Sequence, residues 1–148
     1  MSTTTLEGLA ELERELERRL RNVQLASPKA MTDVVFDLLG KSVALAPVDL
    51  GDLRGSGHAN VNDATIATGT ANGGTSGAGS PGADRGGKTT GEVAFSEPYA
   101  VIQHETLTFK HPKGGEAKYL EKPLAANMNK YVDRLTGKLS DAAQGKGS

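Results

Sequence analysis

Residues 27–47 have the sequence SPKAMTDVVFDLLGKSVALAP, and this stretch decides the fold. Ser27 is a good helix N-cap, and Pro28 is preorganised for the first helical position. Pro47 ends the pattern because proline cannot continue a helix. Apolar residues recur between them at helical spacing, which predicts a helix that supplies most of the core. The apolar positions are Met31, Val34, Val35, Leu38, Leu39 and Leu45.

A separate, more charged helix is predicted before it, over residues 6 to about 24. One narrow apolar stripe runs along it, and the other faces are charged, with favourable pairs at Glu15–Arg19 and Glu17–Arg21. Such a narrow stripe contacts its partner along a seam. That partner is either the body of the same domain or a helix of another subunit, and the sequence leaves both open. The stripe consists of Leu9, Leu12, Leu16, Leu20 and Val23.

The chain after Pro47 has the composition of strands and turns. A strand is predicted over 58–70, and a second one over 91–95 (GEVAF), antiparallel to the first. Residues 69–91 between them consist mainly of Gly, Ser, Thr and Ala, which predicts a long flexible loop. Residues 98–104 are expected to form a short helix or a bent strand, and 105–112 alternate weakly.

A last helix is predicted from residue 118 to about 139, with its regular part beginning near Glu121 or Lys122 so that Pro123 lies in the first turn. Residues 140–148 are expected to fray. The whole chain of 148 residues is therefore interpreted as one domain. We predict an α+β fold with N-terminal and C-terminal helices packed on a small antiparallel β-sheet that has a long Gly-rich loop.

The composition excludes several classes of protein. Seventeen basic and 18 acidic residues leave a formal charge of −1, so net charge does not indicate a general nucleic-acid or anionic-membrane binder. The absence of cysteine excludes disulfides and thiolate metal sites. No signal peptide or membrane-length apolar run is present, and the protein is expected to be cytosolic and soluble.

Residues 82–89, GADRGGKT, match the phosphate-binding pattern G-x-x-x-x-G-K-T. That chemistry needs a loop that leaves a buried strand and enters a helix, so that backbone N–H groups converge on phosphate. Neither flank fits, because NGGTSGAGSP precedes the motif and TGEVAF, a predicted strand, follows it. A nucleotide-binding P-loop protein is therefore a remote alternative.

Other chemistry is equally weakly indicated. The three histidines, His58, His104 and His111, are spaced unlike metal ligands, and no nucleophile lies in a recognisable triad pattern. We expect no catalytic residue, no metal and no cofactor.

Three segments resemble a known family. Residues 47–56, PVDLGDLRGS, resemble the P-V-D-T-G-x-L-R-x-S segment of the neck and tail-completion proteins of long-tailed phages, often labelled minor capsid or head-tail joining proteins. Tyr99-Ala100 with Glu105 resembles that family's Y-A-x-x-x-E stretch, and residues 118–124, KYLEKPL, resemble its entry into the final helix. Leu50 stands where the family usually has Thr, and Thr106-Leu107 stand where it has Gly-Thr.

The resemblance implies a structural virion protein of the head-tail junction, made in the host cytoplasm and assembled as a ring that is expected to be hexameric. Its partners would be copies of itself, head connector or adaptor proteins, and tail terminator or tail tube proteins, with DNA only passing through the lumen and no membrane. A helical self-associating interaction protein is the alternative. The candidate assembly residues are Asp49, Asp52, Leu53, Arg54, Tyr99, Glu105, Tyr119 and Leu120.

Overall fold

The computed structural model describes residues 3–47, 52–77, 79–96 and 118–146. It confirms the predicted α+β class, with a long N-terminal helix, a C-terminal helix and one four-stranded antiparallel sheet. The predictions for 98–112 lie outside the described residues. In chain order the elements are α1 (Thr3–Leu45), α2 (Asp52–Gly55), β1 (Gly57–Val61), β2 (Ala64–Gly69), β3 (Thr75–Gly77), β4 (Gly91–Phe95) and α3 (Glu121–Ala143).

Helix α1 corrects the prediction of two helices separated at Ser27-Pro28, because it continues through both residues to Leu45. Pro28 lacks the N–H that would bond the Gln24 carbonyl. Pro28 itself is buried, and α1 packs on α3 from Met31 onward. Ser27 does not act as an N-cap, since its hydroxyl donates to the Val23 carbonyl one turn earlier, at 2.6 Å.

The sheet has the strand order β3-β2-β1-β4. The strand predicted over 58–70 is in fact a hairpin, because the chain reverses at Asn62 and Asp63, which have φ values of 51° and 68°. Positive φ at both central positions is typical of the tightest hairpin turns, which Asn and Asp tolerate. The predicted GEVAF strand is confirmed as β4, and it pairs antiparallel with β1.

The range 69–91 contains ordered elements that its composition did not predict. Thr75–Gly77 form β3 and pair with β2, and Arg85 and Lys88 bridge across a tight turn. The predicted flexibility of this range stays a prediction.

Helix α1 covers one face of the sheet. In β1 every second residue is buried beneath the helix, as expected for a strand with one solvated face. A β-bulge opposite Ala59 and Asn60 places Ile66 and Ala67 of β2 both in the core. This core cluster contains Val35, Leu39, Val43, Ala59, Val61, Ile66 and Ala67.

Helix α3 begins at Glu121, which confirms the predicted start and places Pro123 in the first turn. It packs antiparallel along α1, where Tyr131 is buried against Val34 and Leu38, and Val93 of the sheet borders the same cluster. The helix ends at Ala143, so it extends a turn beyond the predicted end near residue 139 and into the tail predicted to fray.

Candidate assembly surfaces

Arg54, in the segment that resembles the phage family, anchors the end of α1 within one chain. Its Nε donates to the carbonyl of Ala46 at 2.9 Å, and a terminal guanidinium nitrogen donates to the carbonyl of Ala44 at 3.0 Å. These are the unpaired carbonyls at a helix C-terminus, where a cation is also favoured by the helix dipole. Arg54 is buried, so its guanidinium acts within the subunit. Asp52 is exposed at the start of α2.

The structure brings together residues from the first and last family-like segments. Leu53 and Tyr119 are 3% and 1% exposed, and they form one cluster with Ala46. The Tyr119 ring meets Phe95 edge to face, with centroids 5.0 Å apart, and half-buried Leu120 lies beside the cluster. Leu53 and Tyr119 therefore build the core of one chain, and their predicted interface role stays a prediction. Asp49, Tyr99 and Glu105 lie outside the described residues.

The GADRGGKT segment folds as a turn. Asp84 accepts hydrogen bonds from the Gly87 N–H at 2.8 Å and from the Thr89 hydroxyl at 3.1 Å. Gly86 and Gly87 have φ values of 60° and 81°, and strand β4 follows. A carboxylate already occupies the backbone donor that a phosphate would need, and no helix supplies further donors. Among the described residues no group of three or more His, Asp or Glu side chains could hold a metal ion.

The largest unpaired apolar feature of the described chain is the leucine stripe, defined as Leu9, Leu12, Leu16 and Leu20. These side chains are 52–57% exposed, although leucine is usually buried. Their spacing of three and four continues through Val23 to Met31, Val34 and Leu38, which contact α3. Nearer the N-terminus, however, the end of α3 lies beside Arg18, Asn22 and Lys29, so the stripe lies on a face of α1 that α3 does not cover. Among the described residues no other element covers these leucines, and the predicted contact with another subunit stays a prediction.

The charged faces of this part of α1 are partly paired. Glu15 bonds Arg18 at 2.6 Å and Arg19 at 3.0 Å, and these hydrogen bonds lower the pKa of Glu15 to about 2. The predicted Glu15–Arg19 pair is thus present. The predicted Glu17–Arg21 pair is not found among the ion pairs of the described residues, and both side chains are exposed.

A second surface lies between α1 and the C-terminal end of α3. It is an open groove of about 790 Å³. Its floor is formed by small apolar side chains and by Leu25, which is 81% exposed. Four basic side chains and one acidic side chain line it, which makes the groove basic. They are Arg18, Lys29, Lys138, Lys146 and Asp141.

Ionic contacts fix α3 on α1 beside this groove. Lys138 pairs with Asp33, and Asp37 accepts hydrogen bonds from Lys41 and from the Tyr131 hydroxyl, the latter at 2.6 Å. Burial raises the pKa of Asp37, but the hydrogen bonds from Lys41 and Tyr131 outweigh it and lower the net pKa. Burial and the hydrogen bond to Asp37 raise the pKa of Tyr131. The hydrogen-bonded ionised form of Asp37 therefore stabilises the α1–α3 contact.

Comparison with protein-family models, with curated proteins and with solved structures found no match for this chain. Within residues 3–47, 52–77, 79–96 and 118–146, no helix combines the length and the hydrophobicity needed to cross a bilayer. The leucine stripe was detectable from sequence because its spacing is local. The groove was not, because it joins Arg18 and Lys146 from opposite ends of the chain.

Proposed function

We propose that this protein is a structural subunit of a long-tailed phage particle, located at the head-tail junction, which assembles as a ring and carries out no chemistry. The ring is expected to be hexameric. The single observation that carries an assembly role is the leucine stripe, because a row of half-exposed leucines on a helix is typical of a surface covered by another protein.

The resemblance of three segments to the neck and tail-completion proteins supports the phage neck as the place of this assembly. Residues 47–56 resemble the most distinctive segment of the neck and tail-completion proteins. In the folded chain, Arg54 holds the end of α1 and Leu53 packs beside Tyr119 of the last family-like segment. These contacts hold the end of α1 in place, which supports a structural role for the family-like segments.

The proposed partners follow from the same resemblance. They are sister copies, head connector or adaptor proteins on one side, and tail terminator or tail tube proteins on the other. DNA would only pass through the lumen, and the formal charge of −1 supports a role without general DNA binding. The turn geometry of GADRGGKT, with Asp84 on the Gly87 N–H, supports the proposal that nucleotide hydrolysis has no part in it.

Removal of the gene from the phage that encodes it tests the proposal. We expect DNA-filled heads and separate tails, and we expect antibody to the protein to label the neck of complete wild-type particles. Complementation with wild-type protein, or with the α3 surface variant Met128→Gln/Val132→Gln, should restore infectious particles, since both side chains are about half exposed away from the stripe. Complete particles that lack the protein would refute the proposal.

A helical self-associating interaction protein is the second candidate, and the same leucine stripe favours it. Such a protein would associate with itself in solution but would be missing from purified virions. Mass spectrometry of purified particles therefore separates the two candidates.

A further inference from the structure

Two surfaces of opposite charge occur on one chain. The arm, defined as residues 8–17 of α1, carries the first three leucines of the stripe, four glutamates and one arginine, a net charge of −3. The groove is lined by four basic groups and Asp141; Arg18 is paired with Glu15 and Lys138 with Asp33, so Lys29 and Lys146 against Asp141 leave a net charge of +1. Arm and groove are both open to solvent among the described residues. Opposite potentials of this kind attract two surfaces and set their relative orientation.

The shapes of the two surfaces also match. The arm presents large side chains, with Leu9, Leu12 and Leu16 each more than half exposed. The groove floor presents Ala26, Ala30 and Ala142, which leave room for large side chains, and Leu25 offers further apolar area. Large side chains entering a row of small ones is the ordinary way in which a helix packs into a groove.

We propose that the arm of one copy docks into the groove of the next copy, so that the subunits associate head to tail. This inference rests on the proposed assembly function and names the partner of the leucine stripe as the α1–α3 groove of a second copy. The alternative is two stripes packed on each other, which joins two segments (residues 9–20) of net charge −1 each, and the complementation experiment distinguishes it from docking in the groove.

Head-to-tail docking uses different patches on the two partners, so every bound copy still presents one free arm and one free groove. A contact of this type closes into a ring when its rotation divides a full turn, and otherwise it forms an open filament. A contact between identical patches would stop at a dimer. The arm and the groove thus supply the kind of contact that a ring of subunits needs.

Complementation between two full-length variants tests the docking. The arm variant Leu12→Gln/Leu16→Gln removes apolar surface from the arm, and the groove variant Lys29→Glu/Lys146→Glu reduces the positive charge of the groove. We expect wild-type protein to exceed its monomer mass of 15.4 kDa in light scattering after size exclusion, and each variant alone to remain monomeric. An equimolar mixture of the variants should form a 1:1 dimer and nothing larger, because only one arm and one groove remain intact.

Two matched controls accompany the variants. Met128→Gln/Val132→Gln removes exposed apolar side chains from α3, and Lys88→Glu reverses an exposed charge in the 85–88 turn. Both should associate as wild type does. Circular dichroism should show the same helix content for all variants, and if Lys29→Glu/Lys146→Glu fails to fold, Lys29→Gln/Lys146→Gln replaces it.

Three results would overturn the docking. The first is wild-type protein that stays monomeric up to about 1 mM, a concentration at which even weak specific contacts form. The groove variant could associate as wild type while the arm variant does not, which would indicate stripe-to-stripe pairing. Or the mixture could fail to form the 1:1 dimer. None of these results bears on the presence of the protein in virions, so the docking and the proposed function fail separately.

Discussion

Arg54 joins α2 to the end of α1 by hydrogen bonds to two main-chain carbonyls, those of Ala44 and Ala46. Its burial means that water cannot readily replace these bonds. A group of this kind is costly to remove, because both carbonyls lose a charged donor in a place with little solvent. Arg54 therefore determines how firmly the end of α1 is held against the following segment.

Replacement of this arginine by an apolar side chain of similar length measures that contribution. We expect Arg54→Met to lower the free energy of unfolding by about 2–3 kcal/mol in urea titrations. Arg85→Met is the matched control, since Arg85 is exposed and pairs only with exposed Asp63, so it should change stability by less than about 0.5 kcal/mol. Equal effects of the two substitutions would contradict the anchoring role of Arg54.

Asp37 makes the stability of the α1–α3 contact depend on pH. The pKa of Asp37 is lower in the folded chain than in the unfolded chain, where the pKa of an aspartate is about 3.9. The folded state therefore gains stability from ionised Asp37 above that value, and loses it as pH falls through the lower folded pKa. We expect the urea midpoint of wild-type protein to fall between about pH 5 and pH 3, and to fall less in Asp37→Asn. Asp133→Asn, at an exposed position of α3, should keep the wild-type slope.

Tyr131 gives the opposite dependence at high pH. Burial and the hydrogen bond to Asp37 raise the pKa of Tyr131 in the folded chain. As pH rises, the hydroxyl therefore loses its proton in the unfolded chain, at about pH 10, before it does so in the folded chain. The stabilisation from Tyr131 is complete below that pH and is lost as the pH rises further. The folded state therefore loses stability at high pH as well as at low pH.

At the scale of the elements, α1 shows how tertiary packing overrides a local signal. Ser-Pro is a typical helix start, yet Pro28 is buried within a continuous α1, which packs on α3 from Met31 onward. A local pattern cannot report a partner more than 100 residues away. The periodic segments, in contrast, predicted α3 and β4 correctly, because each keeps one apolar face over several residues.

The substitution Ser27→Ala distinguishes the continuous helix from two separate ones. Inside a helix, alanine replaces a residue of lower propensity, so we expect stability to stay within about 0.5 kcal/mol or to rise slightly. Were Ser27 the N-cap of a separate helix, its loss would cost about 1 kcal/mol. Thermal unfolding followed by circular dichroism is sufficient to separate these outcomes.

The elements missed from sequence have short or unusual signals. The hairpin turn uses Asn62-Asp63 in place of the more familiar Asn-Gly, and Asn62 is held by the Thr90 N–H and the Gly82 carbonyl, which are distant in sequence. Strand β3 has three residues, all small or polar, so only its pairing with β2 identifies it. Of the candidate site, the leucine stripe was predictable and the groove was not, because grooves arise from the packing of two helices.

At the scale of the whole molecule, the core and the arm occupy different parts of the chain. The buried apolar residues begin at Pro28, whereas the arm ends at residue 17. Folding of one subunit therefore depends little on the arm, and substitution of exposed arm leucines should leave the isolated fold intact. In the proposed assembly, this separation would let a subunit fold first and assemble afterwards.

Thermal unfolding at several concentrations tests that separation. We expect the Tm of wild-type protein to rise with concentration, since association stabilises the folded state by mass action. The Tm of Leu12→Gln/Leu16→Gln should be independent of concentration and should equal the wild-type value at the lowest concentration. A lower Tm for the variant at every concentration would mean that the arm contributes to the fold of the single chain.

Pro28 has a mechanical consequence for the geometry of assembly. A helix of 43 residues is about 65 Å long, and the peptide without an N–H is the point at which such a rod bends most easily. Leu9 lies 19 residues from Pro28, about 28 Å along the helix axis. A tilt of about 10° at Pro28 would therefore move Leu9 by about 5 Å. In the proposed ring, such a tilt would let neighbouring subunits adjust to small differences in angle when the last subunit closes the ring.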